Sequence, residues 1–173
     1  MTLKRCGPTY TKVPLGCDGR GTDTEEEVTL KSVRQVLKDK GYAVESIAPQ
    51  ASVYEALQKM ANRELGALVV FEGGEVCGLF SERDYARKLV LQGKSSKDTQ
   101  VQEVMTRRVI TVEPEQTVEA CMVLMTDKHI RHLPVIEEGR LIGIVSIGDI
   151  VKAVIEAQRL TIEELATYIT SGR

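Results

Sequence analysis

Two short constellations in this chain set a hydroxyl and a carboxylate three residues apart: Ser81-Glu-Arg-Asp84 and Ser146-Ile-Gly-Asp149. Each serine closes an apolar run, Val76 to Phe80 or Leu141 to Val145, and a glycine stands three residues before it, Gly78 or Gly143. The runs read as strands, and the residues beyond each serine read as helix, Glu82 to Gln92 and Asp149 to Ala157. Such a junction supports two chemistries. As a capping box, the serine hydroxyl accepts from an early helical amide and the carboxylate sits at the positive end of the helix dipole. As a nucleotide subsite, the free amides suit a phosphate, and the carboxylate can accept two hydrogen bonds from vicinal ribose hydroxyls. The glycine leaves room for something to approach the strand end. Between serine and aspartate one constellation has Arg83, a bidentate partner for phosphate, and the other has Gly148, which offers space and no charge. The two sites should therefore be unequal, with the stronger phosphate site at Asp84. Arg87 and Lys88 read as a solvated helical face.

The elements that position these residues occur twice. Gly139, Gly143, Ser146 and Asp149 stand 65 residues after Gly74, Gly78, Ser81 and Asp84. The same spacing relates Pro114 to Pro49, Val118 to Val53, Met125 to Met60, Leu133 to Leu68 and Val135 to Val70. A gapless internal repeat predicts two copies of one supersecondary unit that bury their apolar faces together. In the first copy, Val33, Val36 and Leu37 have helical spacing with Gly41 as a stop, and Ala43 to Ala48 is extended up to Pro49. Ser52 to Glu55 is a further capping box ahead of the Val53, Ala56, Leu57, Met60 stripe. Ala67 to Phe71 and Val76 to Phe80 form a hairpin about Gly73-Gly74. The second copy repeats this with Val109 to Val112, the stripe Val118, Cys121, Met122, Met125, and the strands Leu133 to Ile136 and Leu141 to Val145. Pro134 lacks a donor, so its strand should lie at an edge or begin there.

Leu-Pro-Val-Ile (133 to 136), the acidic-glycine turn 137 to 140 and Leu-Ile-Gly-Ile-Val-Ser-Ile-Gly-Asp (141 to 149) resemble a CBS domain, and Gly66 through Asp84 resembles another. The resemblance covers about residues 30 to 158 and implies a tandem pair, a Bateman module. The implied fold is α+β: two βαββα repeats packed as a pseudo-twofold pair. The divisions are a flexible arm at 1–28, repeats at 29–93 and 94–159, and an amphipathic helix and tail at 160–173, with Thr161 as cap.

The same resemblance implies two clefts that bind adenine nucleotide, each taking Ser and Asp from one copy and wall from the start of the other copy's hairpin. Ser81, Arg83 and Asp84 would share a cleft with Arg131 and His132. Ser146 and Asp149 would face Gly66 and Ala67. Adenine would lie against the short strands, at Ile47 and Val44 or at Ile110 and Val112, with Met105 and Thr106 beside them. The implied ligand is AMP, ADP, ATP or NAD(H), bound as a regulator with no cofactor required. The implied assembly is a homodimer that signals to an unidentified effector protein. The alternative is a ligand-independent homodimeric interaction module in which the Ser-x-x-Asp pairs are caps only.

Composition narrows the classes. The chain has 173 residues, 42% of them hydrophobic, and two halves of about 60 residues are individually small for a stable core. With 23 basic and 25 acidic residues, no global field recruits nucleic acid or a membrane surface. Two Phe, five Tyr and no Trp argue against base-stacking platforms. Cys6, Cys17, Cys77 and Cys121 have no Cys-x-x-Cys spacing, and with His129 and His132 alone a zinc site is not expected. Residues 1 to 27 show no apolar period, the start lacks a secretory h-region, and no apolar run approaches the roughly 18 residues that span a bilayer. A cytoplasmic, non-enzymatic protein is the expectation, since a catalytic barrel needs about 250 residues and no nucleophile-base pair stands out.

Overall fold

The structure, a computed structural model, describes residues 10–12 and 31–171, with side chains for 31–160, 162 and 163. In chain order its elements are β1 (Tyr10–Lys12), α1 (Val33–Lys40), β2 (Ser46–Ile47), α2 (Val53–Arg63), β3 (Ala67–Glu72), β4 (Glu75–Ser81), α3 (Glu82–Asp84), α4 (Val101–Val104), β5 (Val109–Thr111), α5 (Val118–Asp127), β6 (His132–Glu137), β7 (Arg140–Ser146) and α6 (Ile147–Ser171). Both hairpins form as the sequence predicts. β3 pairs antiparallel with β4, β6 with β7, and each ladder shifts register once, at Val70/Phe71 and at Val135/Ile136. The turns carry positive φ at both central residues, Gly73 and Gly74 or Glu138 and Gly139, which suits the twist of the flanking strands.

The core is divided in an order the chain does not suggest. One cluster joins Val112, Val118, Cys121, Met125, Leu133, Val135, Val145, Ile150 and Ala153 of the second copy to Val33, Val36 and Leu37 of α1. The other joins Val53, Ala56, Met60, Leu68, Val70, Cys77, Phe80 and Leu89 of the first copy to Val101, Val104 and Met105. Each lead-in helix thus completes the opposite copy. An eight-residue helix is too short to hold itself in water, so its apolar stripe must dock. Val33 and Leu37 are fully buried, and each such side chain contributes about 1.5–3 kcal/mol. In space the two copies exchange their first helices.

The exchange explains the repeat glycines. A Cβ on Gly143 would lie 2.6 Å from Leu37 Cδ2, and one on Gly78 would lie 2.7 Å from Met105 Sδ and 2.9 Å from the Thr106 carbonyl oxygen. What approaches each strand is the other copy's lead-in segment.

Pro134 lies in an edge strand, as its missing donor predicts, since among the described residues the one ladder partner of β6 is β7. It is the third residue of β6, between β7 on one side and Val112 on the other, and its carbonyl accepts from Val112 N at 3.1 Å. Its missing donor shows on that side. In the first copy Val69 N donates to Glu45 O at 3.2 Å and β2 pairs with β3 over two residues, whereas Val112 makes a single bridge to Val135.

Three expectations change. Residues 10–12, inside the segment read as a flexible arm, form β1, parallel to β5 with Tyr10 opposite Val109. A backbone ladder this short leaves no apolar period to read. The rest of the arm, with Cys6 and Cys17, lies outside the described residues. The helix after Ser81 is not uniform: beyond α3 it widens to a π-helical stretch, Tyr85–Leu89, and tightens to a 3₁₀ turn, Val90–Gln92. The helix after Ser146 is continuous, and α6 runs straight through Thr161 for 25 residues with no break at 159/160. Nothing between Ala157 and Thr161 breaks a helix, because no Gly or Pro intervenes.

Candidate functional site

Ser81 ends β4 and caps α3. Its Oγ accepts from Asp84 N at 3.3 Å, while Ser81 N and Oγ both donate to Asp84 Oδ2, at 3.1 and 2.6 Å. The other carboxylate oxygen is also engaged. Asp84 Oδ1 accepts from Thr106 Oγ1 at 2.9 Å and pairs with Lys88 Nζ at 2.6 Å, and the same ammonium donates to Thr106 Oγ1 and the Met105 carbonyl. Asp84 is 9% exposed. Its carboxylate is satisfied on both oxygens by its own copy and by the second copy's lead-in.

Ser146 ends β7 and makes the same box. Ser146 N and Oγ donate to Asp149 Oδ2 at 2.7 and 2.8 Å, and Asp149 N donates back to Oγ at 3.2 Å. The cross-copy partner here is Lys40, the last residue of α1, whose Nζ lies 2.6 Å from Oδ2. Among the described residues no partner reaches Oδ1. Burial pushes the Asp149 carboxyl up, but the hydrogen bonds from Lys40 and Ser146 outweigh it and hold the group below the usual range. The aspartate side chain is 25% exposed, against 11% for Asp84.

Between these corners the two hairpin starts meet. A Cβ on Gly66 would lie 3.5 Å from His132 Cε1 and 3.6 Å from Glu82 Oε2, ordinary van der Waals distances, so both side chains lie beside Gly66. Burial lowers the His132 pKa, and the Lys40 charge lowers it further against the opposing pull of Asp149 and Glu82. Because His132 pairs with Ser146 across β6 and β7, it stands on the Asp149 side and at the centre. Arg131 is exposed and its carbonyl accepts from Ile147 N. Arg83 does reach the second copy, where its guanidinium donates to the His129 carbonyl. Ala67 is buried in β3 beside Ser81, so Gly66 alone of that pair faces the centre.

Of the apolar wall, Ile47 and Ile110 are partly buried, each against its own copy's core. Val112 and Met105 are core residues. The sequence reading missed three members of the corners. Lys88 is an ion-pair partner of Asp84 and not a solvated face, a role its i, i+4 spacing allows. Glu82 faces Gly66. Lys40 had no local signal, since its partner lies 109 residues away. Among the described residues no group of three or more His, Cys, Asp or Glu could hold a metal, and no helix is long and apolar enough to cross a membrane.

Comparison with known proteins agrees with this architecture. A curated relative, the mitochondrial CBS domain-containing protein CBSX3 of Arabidopsis thaliana, is 42% identical over 150 residues, which are 82% of this chain and 73% of that protein. A CBS-domain protein of Burkholderia ambifaria has a solved structure with 48% identity and a TM-score of 0.71, covering 73% of this chain and 95% of that one. The CBS-domain containing protein ATU1752 of Agrobacterium tumefaciens is 39% identical with a TM-score of 0.69, covering 71% and 98%. The model of the CBS domain matches residues 28–91 and 101–156. With that match over both copies, and the paired hairpins and Ser-x-x-Asp corners in place, the chain belongs to the CBS domain family and is a CBS domain pair.

Proposed function

We propose that this chain is a non-catalytic regulator that binds an adenine nucleoside or nucleotide, such as AMP, ATP or NAD(H), between its two copies and signals occupancy to a partner protein. One observation carries the reading: each Ser-x-x-Asp carboxylate is held by a residue from the other copy, Thr106 on Asp84 and Lys40 on Asp149. A ribose that took over such a carboxylate would replace a contact between the copies, which couples occupancy to their packing. Ile47 and Ile110, both partly buried, supply the apolar surface that a purine needs nearby. A CBS domain pair from the protein MJ0100, solved with 5′-methylthioadenosine and S-adenosylmethionine, is 24% identical to this chain. At that distance the likeness supports the fold, so the ligand class rests on the carboxylates.

The test is the melting temperature of extensively dialysed protein with AMP, ATP, NAD, NADH and S-adenosylmethionine. A ligand at 100 times its dissociation constant stabilises by about 2.7 kcal/mol, a shift of several degrees. No shift with any of them removes the reading.

A second reading has its own support. The capping boxes are complete without ligand, and Val151, Ile155 and Ile162 leave apolar surface exposed along α6. On this reading the chain is a homodimeric interaction module whose dimer buries that face. A hexameric CBS-CP12 protein from bloom-forming cyanobacteria, 29% identical with a TM-score of 0.63, is one assembled protein of this fold. Light scattering of Ile155→Glu and Ile162→Glu tests it: mass unchanged from wild type would remove α6 from the contact.

A further inference from the structure

We propose that the Asp149 corner is the working ligand site, that it takes a phosphorylated nucleoside, and that Lys40 selects for the phosphate by passing to it from the Asp149 carboxylate. The inference rests on the nucleoside reading above and specifies which carboxylate, which charge and which residue. Three observations separate the corners. First, Asp84 is engaged on both oxygens by four donors, Ser81 N, Ser81 Oγ, Thr106 Oγ1 and Lys88 Nζ, whereas every partner of Asp149 among the described residues gathers on Oδ2. A diol needs acceptor capacity, and Oδ1 of Asp149 retains it. Second, the space beside Asp149 is open. A Cβ on Gly148 would meet only Ser146 Oγ, at 3.7 Å, while Arg83 at the matching position stretches across to the His129 carbonyl.

Third, the cations differ in their tethering. Lys88 lies one turn from Asp84 and is fastened at three points, to the carboxylate, to Thr106 Oγ1 and to the Met105 carbonyl. It acts as a latch that belongs to the fold. Lys40 comes from the other copy, at the exposed end of α1, and its one polar partner among the described residues is Asp149. When one hydroxyl of a ligand diol takes the free Oδ1 and the other takes Oδ2, Lys40 is displaced from Oδ2 with its charge unmatched, and an anionic group on the ligand restores the pair. A neutral nucleoside gives no such return. His132 stands nearby, close enough for the Lys40 and Asp149 charges to act on it, and adds a donor on the same side.

The origin of the difference is visible in the chain. Val33, Val36 and Leu37 correspond to Val101, Val104 and Met105 at a spacing of 68, while the repeat from Ile47 and Val112 onward runs at 65. The first lead-in is three residues longer, and α1 continues through Lys38 and Asp39 to Lys40 before Gly41 ends it. That extra turn places an ammonium at Asp149 where the second copy places the Thr106 hydroxyl at Asp84.

The experiment is calorimetric titration of the dialysed full chain with AMP, ATP and adenosine, for wild type, Lys40→Met and Lys88→Met. Both substitutions leave the capping boxes intact. The wild type should bind AMP or ATP about tenfold more tightly than adenosine. Lys40→Met should abolish that ratio and tighten adenosine binding, since the hydroxyls no longer displace an ammonium, and Lys88→Met should keep the wild-type ratio. A ratio that survives Lys40→Met, or that disappears in Lys88→Met, overturns the assignment while the nucleoside reading stands. Asp149→Asn and Asp84→Asn give the second arm: binding lost in Asp84→Asn and retained in Asp149→Asn also overturns it. If no probe binds the wild type, the nucleoside reading fails, and this inference falls with it.

Discussion

The Asp84 and Asp149 corners come from one repeated motif and have diverged into different devices. Both keep the capping box, with the serine amide and hydroxyl on a single carboxylate oxygen. Around Asp84 the second oxygen has been drawn into a closed set with Thr106 and Lys88, and the helix behind it loses α geometry after three residues. Around Asp149 the second oxygen is left over, the helix runs on for 25 residues, and the cation comes from the opposite copy. A repeated motif preserves local geometry, because the cap involves only residues within four positions. It does not preserve what arrives from far along the chain, which is the Thr106 hydroxyl at Asp84 and the Lys40 ammonium at Asp149.

The largest test of this comparison concerns the exchanged helices. Leu37→Ala and Met105→Ala each truncate a core side chain and should cost about 2–5 kcal/mol in urea unfolding. The informative part is where the loss falls. Leu37 packs with Val118, Leu133 and Ile150, so hydrogen exchange in Leu37→Ala should accelerate first within 112–153, in the second copy. Faster exchange confined to 53–80 would show that α1 serves its own copy and would break the exchange.

Next come the repeat glycines, which should separate in size. Gly143→Ala meets only the branched end of Leu37, which can turn aside. Gly78→Ala meets Met105 and also the Thr106 carbonyl, which accepts from Leu79 N at 2.9 Å. Overpacking costs about 1–3 kcal/mol, with Gly78→Ala expected at the upper end and Gly143→Ala at the lower. Equal costs would mean that the backbone at 106 yields as readily as a leucine side chain.

Truncating the carboxylates should cost less again. Asp84→Ala and Asp149→Ala each remove a cap contribution of about 1 kcal/mol. Asp84→Ala should cost more, because it leaves Thr106 and Lys88 without their shared acceptor in a closed corner. Thermal unfolding of the two variants measures the difference, and the reverse order would contradict the assignment of Asp84 as the latch.

Much of this fold could be read from the sequence because it is local. The apolar runs of the hairpins, the glycine turns, Ser52 and Glu55 at the head of α2, and Gly41 after α1 each act within a few residues, and the structure shows each in place. The Ser81–Asp84 and Ser146–Asp149 caps are local in the same sense. The rest depended on pairings at long separation. Nothing near Leu37 says that it will fill the space over Gly143, and nothing near Lys40 says that it will meet Asp149. Pro134 belongs with the local signals: its missing donor predicts an edge strand, and β6 keeps β7 as its ladder partner with a single bridge to Val112 on the other side.

The smallest expected effect is a slope of stability with pH that should come from the His132 side alone. His132 faces Lys40 from α1, Glu82 from α3, Asp149 from α6 and its neighbour Arg131, and its pKa is lowered by burial and by the Lys40 charge. An unfolded histidine titrates near about 6.5. Between that value and the lower folded one, the unfolded chain binds more protons, so stability rises with pH across this interval and is lost as pH falls through it. Asp149 acts in a separate window. Its carboxyl is held below the usual range by the Lys40 and Ser146 hydrogen bonds, so its contribution is present above roughly pH 4 and is lost only as pH falls through the folded value. His132→Gln should therefore flatten the slope near and below neutrality while keeping the acid-side loss. Lys40→Met should weaken both, since it removes a charge that disfavours imidazolium and a partner that favours carboxylate. Urea midpoints from pH 3 to 8 for the wild type and both variants measure these slopes. A neutral-range slope that survives His132→Gln would place the titrating group elsewhere and would detach His132 from the Asp149 corner.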